Sequence, residues 1–205
     1  MQETSSLRSR KKERTRRAIE EAALELFEER GFDGATIDEI AARADISPRT
    51  FFHYFPSKED VVLANYAARL ERIVTALTSR TPDGAETPWV VLRSAFLAVA
   101  ADYESERMQL LRRFLIIQAT PSVAARNLQL QATWEEAVAE IVGRWLGTDA
   151  TEDLRPQLVA GAALAAMRAS IRSWLSDGGK SRLPDHVARS FDLMEAGFGR
   201  LPAVT

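Results

Sequence analysis

Few residues in this 205-residue chain are of the types that do chemistry: it holds two histidines, His53 and His186, and no cysteine. A disulfide framework, a thiolate zinc site and a thiol nucleophile are therefore excluded. The sequence has no His-Glu-x-x-His, Glu-x-x-His or Gly-x-Ser-x-Gly pattern. The fragment 178-GGKS-181 is not a phosphate-binding loop, because Trp174 stands where the loop needs its first glycine. We therefore predict no enzyme activity, no metal site and no cofactor.

Positive charge near the N-terminus is the second chemical feature, although the whole chain has a formal net charge of -2. Residues 1–17 carry seven basic side chains against Glu3 and Glu13, which is seven minus two, a local charge of +5. The basic residues are Arg8, Arg10, Lys11, Lys12, Arg14, Arg16 and Arg17. Such a segment is either a solvated, disordered end or an arm that binds nucleic-acid phosphates.

An aromatic cluster, 51-FFHYF-55, places four rings and a histidine in five consecutive positions before Pro56. A helix buries only one face, so these side chains cannot all lie in the core. Phe51 and Phe55 stand one turn apart and suit the core, whereas His53 and Tyr54 point away from that face. For Phe52 both interpretations stay open.

Helical periodicity must position these residues, since it dominates the sequence and no alternating strand pattern is evident. In a first helix at about 15–30, the apolar residues recur at helical spacing and the glutamates between them are expected to face water. These apolar residues are Ile19, Ala22, Ala23, Leu26 and Phe27. Gly31 is expected to end the helix as its C-terminal cap.

Three further helices are predicted before residue 80. Thr36 and Glu39 form a Thr-x-x-Glu capping box at the start of the second helix. Ser47 caps the third, with Pro48 at its first position, where the missing N–H costs nothing. The fourth is expected over 57–79. A long helix followed by two short ones joined by a tight turn has the layout of a helix-turn-helix, whose second short helix enters the major groove.

The rest of the chain predicts five more helices, at about 89–103, 106–119, 122–146, 152–176 and 184–200, which makes an all-α protein of about nine helices. We assign residues 1–60 to a DNA-binding domain with a basic arm at 1–17. Residues 61–205 are assigned to a second, C-terminal domain. The fourth helix, 57–79, joins the two, and the loop 80–88 breaks the helical pattern.

The run T-I-D-E-I-A-x-x-A-D-I-S-P-R-T-F-F-H-Y-F-P-S-K-E-D-V closely resembles the DNA-binding domain of the TetR family of transcriptional regulators, over about residues 11–62. The resemblance implies an all-helical homodimer that binds double-stranded operator DNA and usually represses transcription. It also implies that residues 61–205 are a ligand-binding and dimerisation domain. By the same resemblance, Thr36, Tyr54 and Lys58 are phosphate anchors. The full set of predicted DNA-binding residues is Thr36, Ser47, Pro48, Arg49, Thr50, Phe52, His53, Tyr54 and Lys58.

Two positions depart from the family pattern. Phe52 stands where many members have a tyrosine, which removes a phenolic hydrogen bond. Tyr54 stands where histidine is common. The resemblance therefore implies that contacts to the DNA phosphate backbone are kept but rearranged.

The C-terminal half resembles a TetR subgroup described as acyl-CoA-like ligand-binding or mycofactocin-type regulators, through 120-TPSVAARN-127, Trp134 and the segment 154–179. This resemblance implies a small amphipathic or apolar effector, for instance an acyl-CoA-like one. The candidate ligand-binding residues are Phe96, Phe114, Trp134, Met167, Arg168 and Ile171. Plain core packing is the alternative for each apolar member, and Arg168 could instead border a dimer interface.

A helical adaptor that binds only protein is the remaining alternative, but it would leave the basic arm, His53 and Tyr54 without a role. A gel-shift against DNA separates it from a regulator. No apolar run reaches the roughly 18 residues of a membrane span, so we expect a soluble, cytoplasmic protein that does not enter the membrane.

Overall fold

A computed structural model describes residues 2–64, 66–83 and 86–197 of the chain. The helices in these ranges are α1 (Gln2–Gly34), α2 (Ile37–Arg43), α3 (Pro48–Tyr54), α4 (Lys58–Val62), α5 (Tyr66–Thr78), α6 (Pro88–Ser105), α7 (Arg107–Ala119), α8 (Pro121–Leu146), α9 (Leu154–Ser176) and α10 (Leu183–Ala196). The all-α prediction is confirmed. None of these helices combines the length and the apolar character that crossing a bilayer requires.

The described chain forms two compact units. The first contains residues 2–64 together with Arg112–Asn127, which are the end of α7 and the start of α8. The second contains Tyr66–Leu111 and residues 128–197. The first unit thus includes a later stretch of the chain, Arg112–Asn127, which the predicted division places in 61–205.

Helix α1 begins earlier than predicted, at Gln2 rather than near residue 15, so most of the basic arm is helical. Residues 2–14 contain no glycine or proline, and arginine and lysine are good helix formers. Thr15 Oγ1 donates to the carbonyl of Lys11 at 3.1 Å, and Arg17 Nε lies 2.9 Å from a carboxylate oxygen of Glu13 one turn earlier. The helical geometry is interrupted at Gly31, whose φ of 75° and ψ of 165° fit its predicted role as a helix-ending glycine.

The apolar face predicted for α1 is buried, but one of its glutamates is not where the sequence places it. Glu20 is 7% exposed, whereas the pattern predicts that it faces water. Its carboxylate accepts a hydrogen bond from Arg113 Nη2 of α7 at 2.7 Å and another from Arg16 Nε at 3.2 Å. A buried charge must be paired, and the shorter of these two hydrogen bonds comes from a residue 93 positions later.

The single fourth helix predicted over 57–79 is also corrected. In the structure α4 ends at Val62 with Leu63 as its C-cap, and α5 begins at Tyr66. Arg113 Nη1 donates to the carbonyl oxygens of Val61 and Val62, at 2.5 and 2.8 Å. Val61 O also accepts from the backbone N–H of Ala64 at 3.2 Å. The guanidinium thus adds to the backbone hydrogen bonds at the carbonyl end of α4, where the sequence has neither glycine nor proline.

The second unit is built mainly from α5, α6, α9 and α10, which pack against one another. Trp174, Phe96 and Phe191 are among its largest fully buried side chains. Helices α6 to α10 correspond to the five predicted C-terminal helices. The last one ends at Ala196 with Gly197 as its C-cap, and the predicted residues 198–200 lie outside the described part of the chain.

Candidate functional site

Helix α3 holds the aromatic cluster and is fixed at its start by local hydrogen bonds. Ser47 is the N-cap: its Oγ accepts from the backbone N–H of Thr50 at 3.1 Å, and Pro48 follows at the first helical position. Phe51 is fully buried and Phe55 is 3% exposed, with ring centroids 6.1 Å apart. These two rings attach α3 to the core of the first unit.

The opposite face of α3 is open to solvent. Phe52 is 54% exposed and meets Phe51 edge-on, with ring centroids 5.6 Å apart. Arg49 and His53 are exposed as well, and Tyr54 is half-buried with its ring edge-on to His53 at 5.4 Å. This exposed face carries an apolar ring, a guanidinium and an imidazole. These are the kinds of group by which proteins read base edges in general: apolar contact for thymine methyl groups and hydrogen bonds for guanine or adenine.

The turn before α3 is tight and contains the only non-glycine residue with positive φ in the described ranges. Asp45 has φ 55°, a left-handed conformation that aspartate tolerates better than most residues. Ala44 and Ile46 on either side are half-buried. The turn thus sets the angle between α2 and α3 without glycine.

Thr36, a predicted phosphate anchor, forms the predicted capping box. Its Oγ1 accepts from the N–H of Glu39 at 3.2 Å, and Glu39 Oε2 accepts from Thr36 N and Oγ1 at 3.0 and 2.8 Å. These bonds from Thr36 hold the pKa of Glu39 below its ordinary value. Both Thr36 donors are therefore used within the protein, and a phosphate would have to compete with Glu39 for them.

Lys58, another predicted anchor, is also engaged. Its ammonium donates to the carbonyl oxygens of Phe32 and Ala35 at 2.9 and 2.8 Å and lies 4.6 Å from the centroid of the Phe32 ring. An ammonium has three donors, so one N–H remains for a phosphate. Lys58 thus bonds to the C-terminal end of α1 and to the residue that follows it, and its phosphate contact stays a prediction.

We expect Lys58→Ala to weaken both stability and DNA binding. Loss of two charge-assisted hydrogen bonds should lower the free energy of unfolding by about 1 to 3 kcal/mol, measured by urea denaturation. Removing one phosphate-binding cation should reduce the slope of log K against log salt by about 0.9 per protomer. Lys12→Ala is the control, since an exposed lysine should change the slope and not the stability. An unchanged slope in Lys58→Ala would exclude the phosphate contact.

The candidate ligand-binding residues contact different aromatic neighbours and are divided between the two units. Phe96 is fully buried and packs on Phe191 at 5.8 Å, while Trp134 stacks on Tyr66 at 4.6 Å. Met167 is buried, and Arg168 and Ile171 are half-buried in α9. Phe114 is half-buried in the stretch of α7 that belongs to the first unit, whereas the other five residues belong to the second.

Sequence reasoning missed Arg69, a charged residue on the buried face of α5. It is 8% exposed and precedes buried Ile73 and Leu77 at intervals of four residues, so a cation in an apolar stripe is the signal that could have revealed it. Arg69 Nη2 donates to Glu106 Oε2 at 2.8 Å, and its guanidinium carbon lies 4.5 Å from the Tyr103 ring centroid. Its Nε is buried and has no hydrogen-bond partner among the described residues.

The aromatic residues beside Arg69 are shielded from water. Burial raises the pKa of Tyr103 to about 12 and also raises the pKa of Tyr66. The charges of Arg69 and Arg168 oppose that shift at Tyr66, which places both cations within electrostatic reach of this phenol. Two arginines, of which Arg69 is paired with Glu106, thus share an aromatic environment in the second unit with two phenols and the Trp134 ring. Arginine and aromatic groups together are the kind of lining that binds an anion carrying an apolar group.

Comparison with known proteins gives two family matches. Residues 19–64 match the model described as bacterial regulatory proteins, tetR family, and residues 86–199 match the MftR C-terminal domain. The chain is 32% identical over 192 residues to the mycofactocin biosynthesis transcriptional regulator MftR of Mycobacterium tuberculosis, covering 94% of this chain and 95% of that protein. It is 34% identical over 177 residues to the HTH-type transcriptional regulator TcmR of Streptomyces glaucescens, covering 82% and 76%. Among solved structures it is similar to Thermus thermophilus FadR, a transcriptional repressor in complex with lauroyl-CoA, with 26% identity, a TM-score of 0.52, and coverage of 93% of this chain and 98% of that one.

Proposed function

The chain belongs to the TetR family of DNA-binding transcriptional regulators, and from that premise we propose that it is a ligand-responsive repressor acting on chromosomal DNA in the cytoplasm. The observation that carries the proposal is the division of α3 into a buried face with Phe51 and an exposed face with Arg49, Phe52 and His53. A helix anchored on one side and polar and aromatic on the other is suited to insertion into a major groove.

A homodimer is proposed because α9 and α10 leave apolar side chains in solvent. Leu154 and Leu158, one turn apart on α9, are 65% and 60% exposed, and Leu193 of α10 is 38% exposed. Two such helix pairs related by a two-fold axis can form a four-helix interface. The operator should then be near-palindromic. A monomer at micromolar concentration, or a selected site without inverted symmetry, would exclude this arrangement.

The DNA-reading role of α3 is tested by His53→Ala. If the imidazole contacts one base, the substitution should relax preference at one operator position and cost about 1 to 3 kcal/mol on the selected operator. Binding to a scrambled duplex should change little, because nonspecific binding depends on phosphate contacts. Equal losses on the operator and the scrambled duplex would show that His53 does not read sequence.

The proposed effector is an amphipathic molecule whose acidic group bonds to Arg69 and whose apolar part lies against aromatic side chains such as Trp134. Support comes from the buried Nε of Arg69, which has no hydrogen-bond partner in the described part of the chain, and from the similarity to a FadR in complex with lauroyl-CoA. A buried donor without a partner costs roughly 1 to 3 kcal/mol, which a ligand oxygen would recover. The candidates Phe96, Met167, Arg168 and Ile171 of the same unit stay proposals as further contacts, and Phe114 stays a prediction from the sequence alone.

We expect laurate and lauroyl-CoA to bind more tightly than dodecanol, with tryptophan fluorescence as the readout. Arg69→Met should remove most of this difference. Arg72→Met is the matched control, because Arg72 lies on the same helix but its side chain is 41% exposed and reaches Asp102 only at 3.6 Å. Equal binding of laurate and dodecanol to the wild-type protein would exclude the acidic subsite.

The effector must also weaken operator binding to act as an inducer. A coupling free energy of about 1 to 3 kcal/mol corresponds to roughly 5- to 150-fold weaker DNA binding, and by linkage the operator must weaken effector binding by the same factor. Fluorescence titrations with and without operator measure this factor. A compound that binds equally in both cases is not the effector, whatever its affinity.

A further inference from the structure

The first unit contains a segment that lies outside the 19–64 match to the DNA-binding domain. This segment, Arg112–Asn127, covers the end of α7 and the start of α8. It supplies three arginines that bond to α1 or α4, namely Arg112, Arg113 and Arg126.

Two of these arginines make exposed contacts. Arg112 bonds to Glu21 at 2.7 Å and to Glu28 at 2.5 and 3.1 Å, but both carboxylates are about half exposed. Arg126 lies 3.3 Å from Asp60 and is 43% exposed. Exposed ion pairs contribute little, because solvent screens them and ordering long side chains costs entropy.

Arg113 differs because it is 5% exposed and bonds to two helices at once. One edge of its guanidinium donates to the carbonyl oxygens of Val61 and Val62 at the end of α4, and Nη2 donates to Glu20 of α1. The carbonyl end of a helix carries partial negative charge, so a buried cation there is favourable. A planar guanidinium can make these bonds in three directions together, which an ammonium on a flexible chain does less well.

Helix α4 is therefore held at both ends by cations from its own unit. At its start, Lys58 bonds to the carbonyls of Phe32 and Ala35; at its end, Arg113 takes the carbonyls of Val61 and Val62. The helix is five residues long and follows directly after α3 and Pro56. Its position fixes where the C-terminal end of α3 can lie.

We propose that Arg113 is a positioning residue for DNA binding, which ends α4 at Val62 and holds it against α1 so that α3 and Lys58 face the same DNA surface. The DNA-binding unit is then incomplete without the Arg112–Asn127 segment. This inference rests on the operator binding proposed above, and it concerns a residue that does not itself touch DNA.

The test uses full-length variants and the operator selected with the wild-type protein. Arg113→Lys keeps the charge beside Glu20 but loses the planar guanidinium, which holds its three bonds in fixed directions. Operator affinity should therefore fall about tenfold, which corresponds to the loss of about one hydrogen bond to a charged group. The salt slope should stay unchanged, because every cation that binds a phosphate is still present. Arg112→Lys is the matched control and should bind like the wild type.

A double variant separates positioning from stability. Glu20→Met with Arg113→Met replaces the buried pair by apolar side chains, which usually preserves stability, but it leaves the end of α4 without its cap. We expect the double variant to have a urea midpoint closer to the wild-type value than Arg113→Met alone has. Its operator affinity should stay about tenfold below that of the wild type. Wild-type affinity in either Arg113→Lys or the double variant would overturn the inference. If the wild-type protein bound no selected DNA, the proposed function would fail instead.

Discussion

Phe51→Ala is expected to lower the free energy of unfolding by about 3 to 5 kcal/mol, whereas Phe52→Ala should change it by less than about 0.5 kcal/mol. The two residues are adjacent and chemically identical, but Phe51 is fully buried and Phe52 is 54% exposed. Removing the Phe51 ring leaves a cavity between α3 and the rest of the first unit. Removing the Phe52 ring exposes little that was covered.

The same pair should behave in the opposite way on DNA. Phe52→Ala removes an exposed apolar ring that can contact thymine methyl groups, so a folded variant should lose operator affinity by about 1 to 3 kcal/mol. Urea denaturation and operator titration of both variants are the measurements. Normal operator binding by Phe52→Ala, or a normal urea midpoint for Phe51→Ala, would contradict the assignment of the two rings.

Neutralising the basic arm should give the largest change in salt dependence. We expect the quadruple variant Arg8→Gln, Arg10→Gln, Lys11→Gln and Lys12→Gln to reduce the salt slope by up to about 3.6 per protomer, because each phosphate that is no longer neutralised removes about 0.9. All four side chains are exposed on the N-terminal part of α1. Affinity for operator and scrambled duplex should fall alike, since phosphates carry no direct sequence information.

The control for the arm lies outside it and leaves the net charge of the chain unchanged. Arg93→Gln with Asp192→Asn removes one positive and one negative side chain, which form an ion pair at 3.1 Å in the second unit. This double variant should keep the salt slope of the wild type. A slope that does not fall in the quadruple variant would show that the arm makes no phosphate contacts.

Local sequence signals predicted the elements that position α3. The Thr36–Glu39 capping box, the Ser47 cap and the unusual geometry at Gly31 all involve partners within three residues or a single backbone conformation. Such signals can be recognised in any sequence because the interacting groups are neighbours. The five C-terminal helices were predicted for the same reason, from proline, glycine and apolar spacing.

The features that sequence did not predict depend on distant partners. No glycine or proline between residues 57 and 79 marks the end of α4 at Val62, and the arginine that bonds to its last carbonyls, Arg113, comes more than 50 residues later. The burial of Glu20 has the same origin. For Thr36 and Lys58, the family resemblance implied contact with DNA phosphates, but the structure shows that each also has hydrogen-bond partners in the protein.

The separation between Glu20 and Arg113 has a consequence for synthesis of the chain. Glu20 leaves the ribosome 93 residues before Arg113, and at about 5 to 20 residues per second this interval lasts roughly 5 to 20 s. During that time only Arg16 among the partners of Glu20 has been made, and the carbonyls at the end of α4 have no arginine to bind. Until α7 has been translated, the N-terminal helices of the nascent protein are therefore less stable than in the complete chain and accessible to chaperones and proteases.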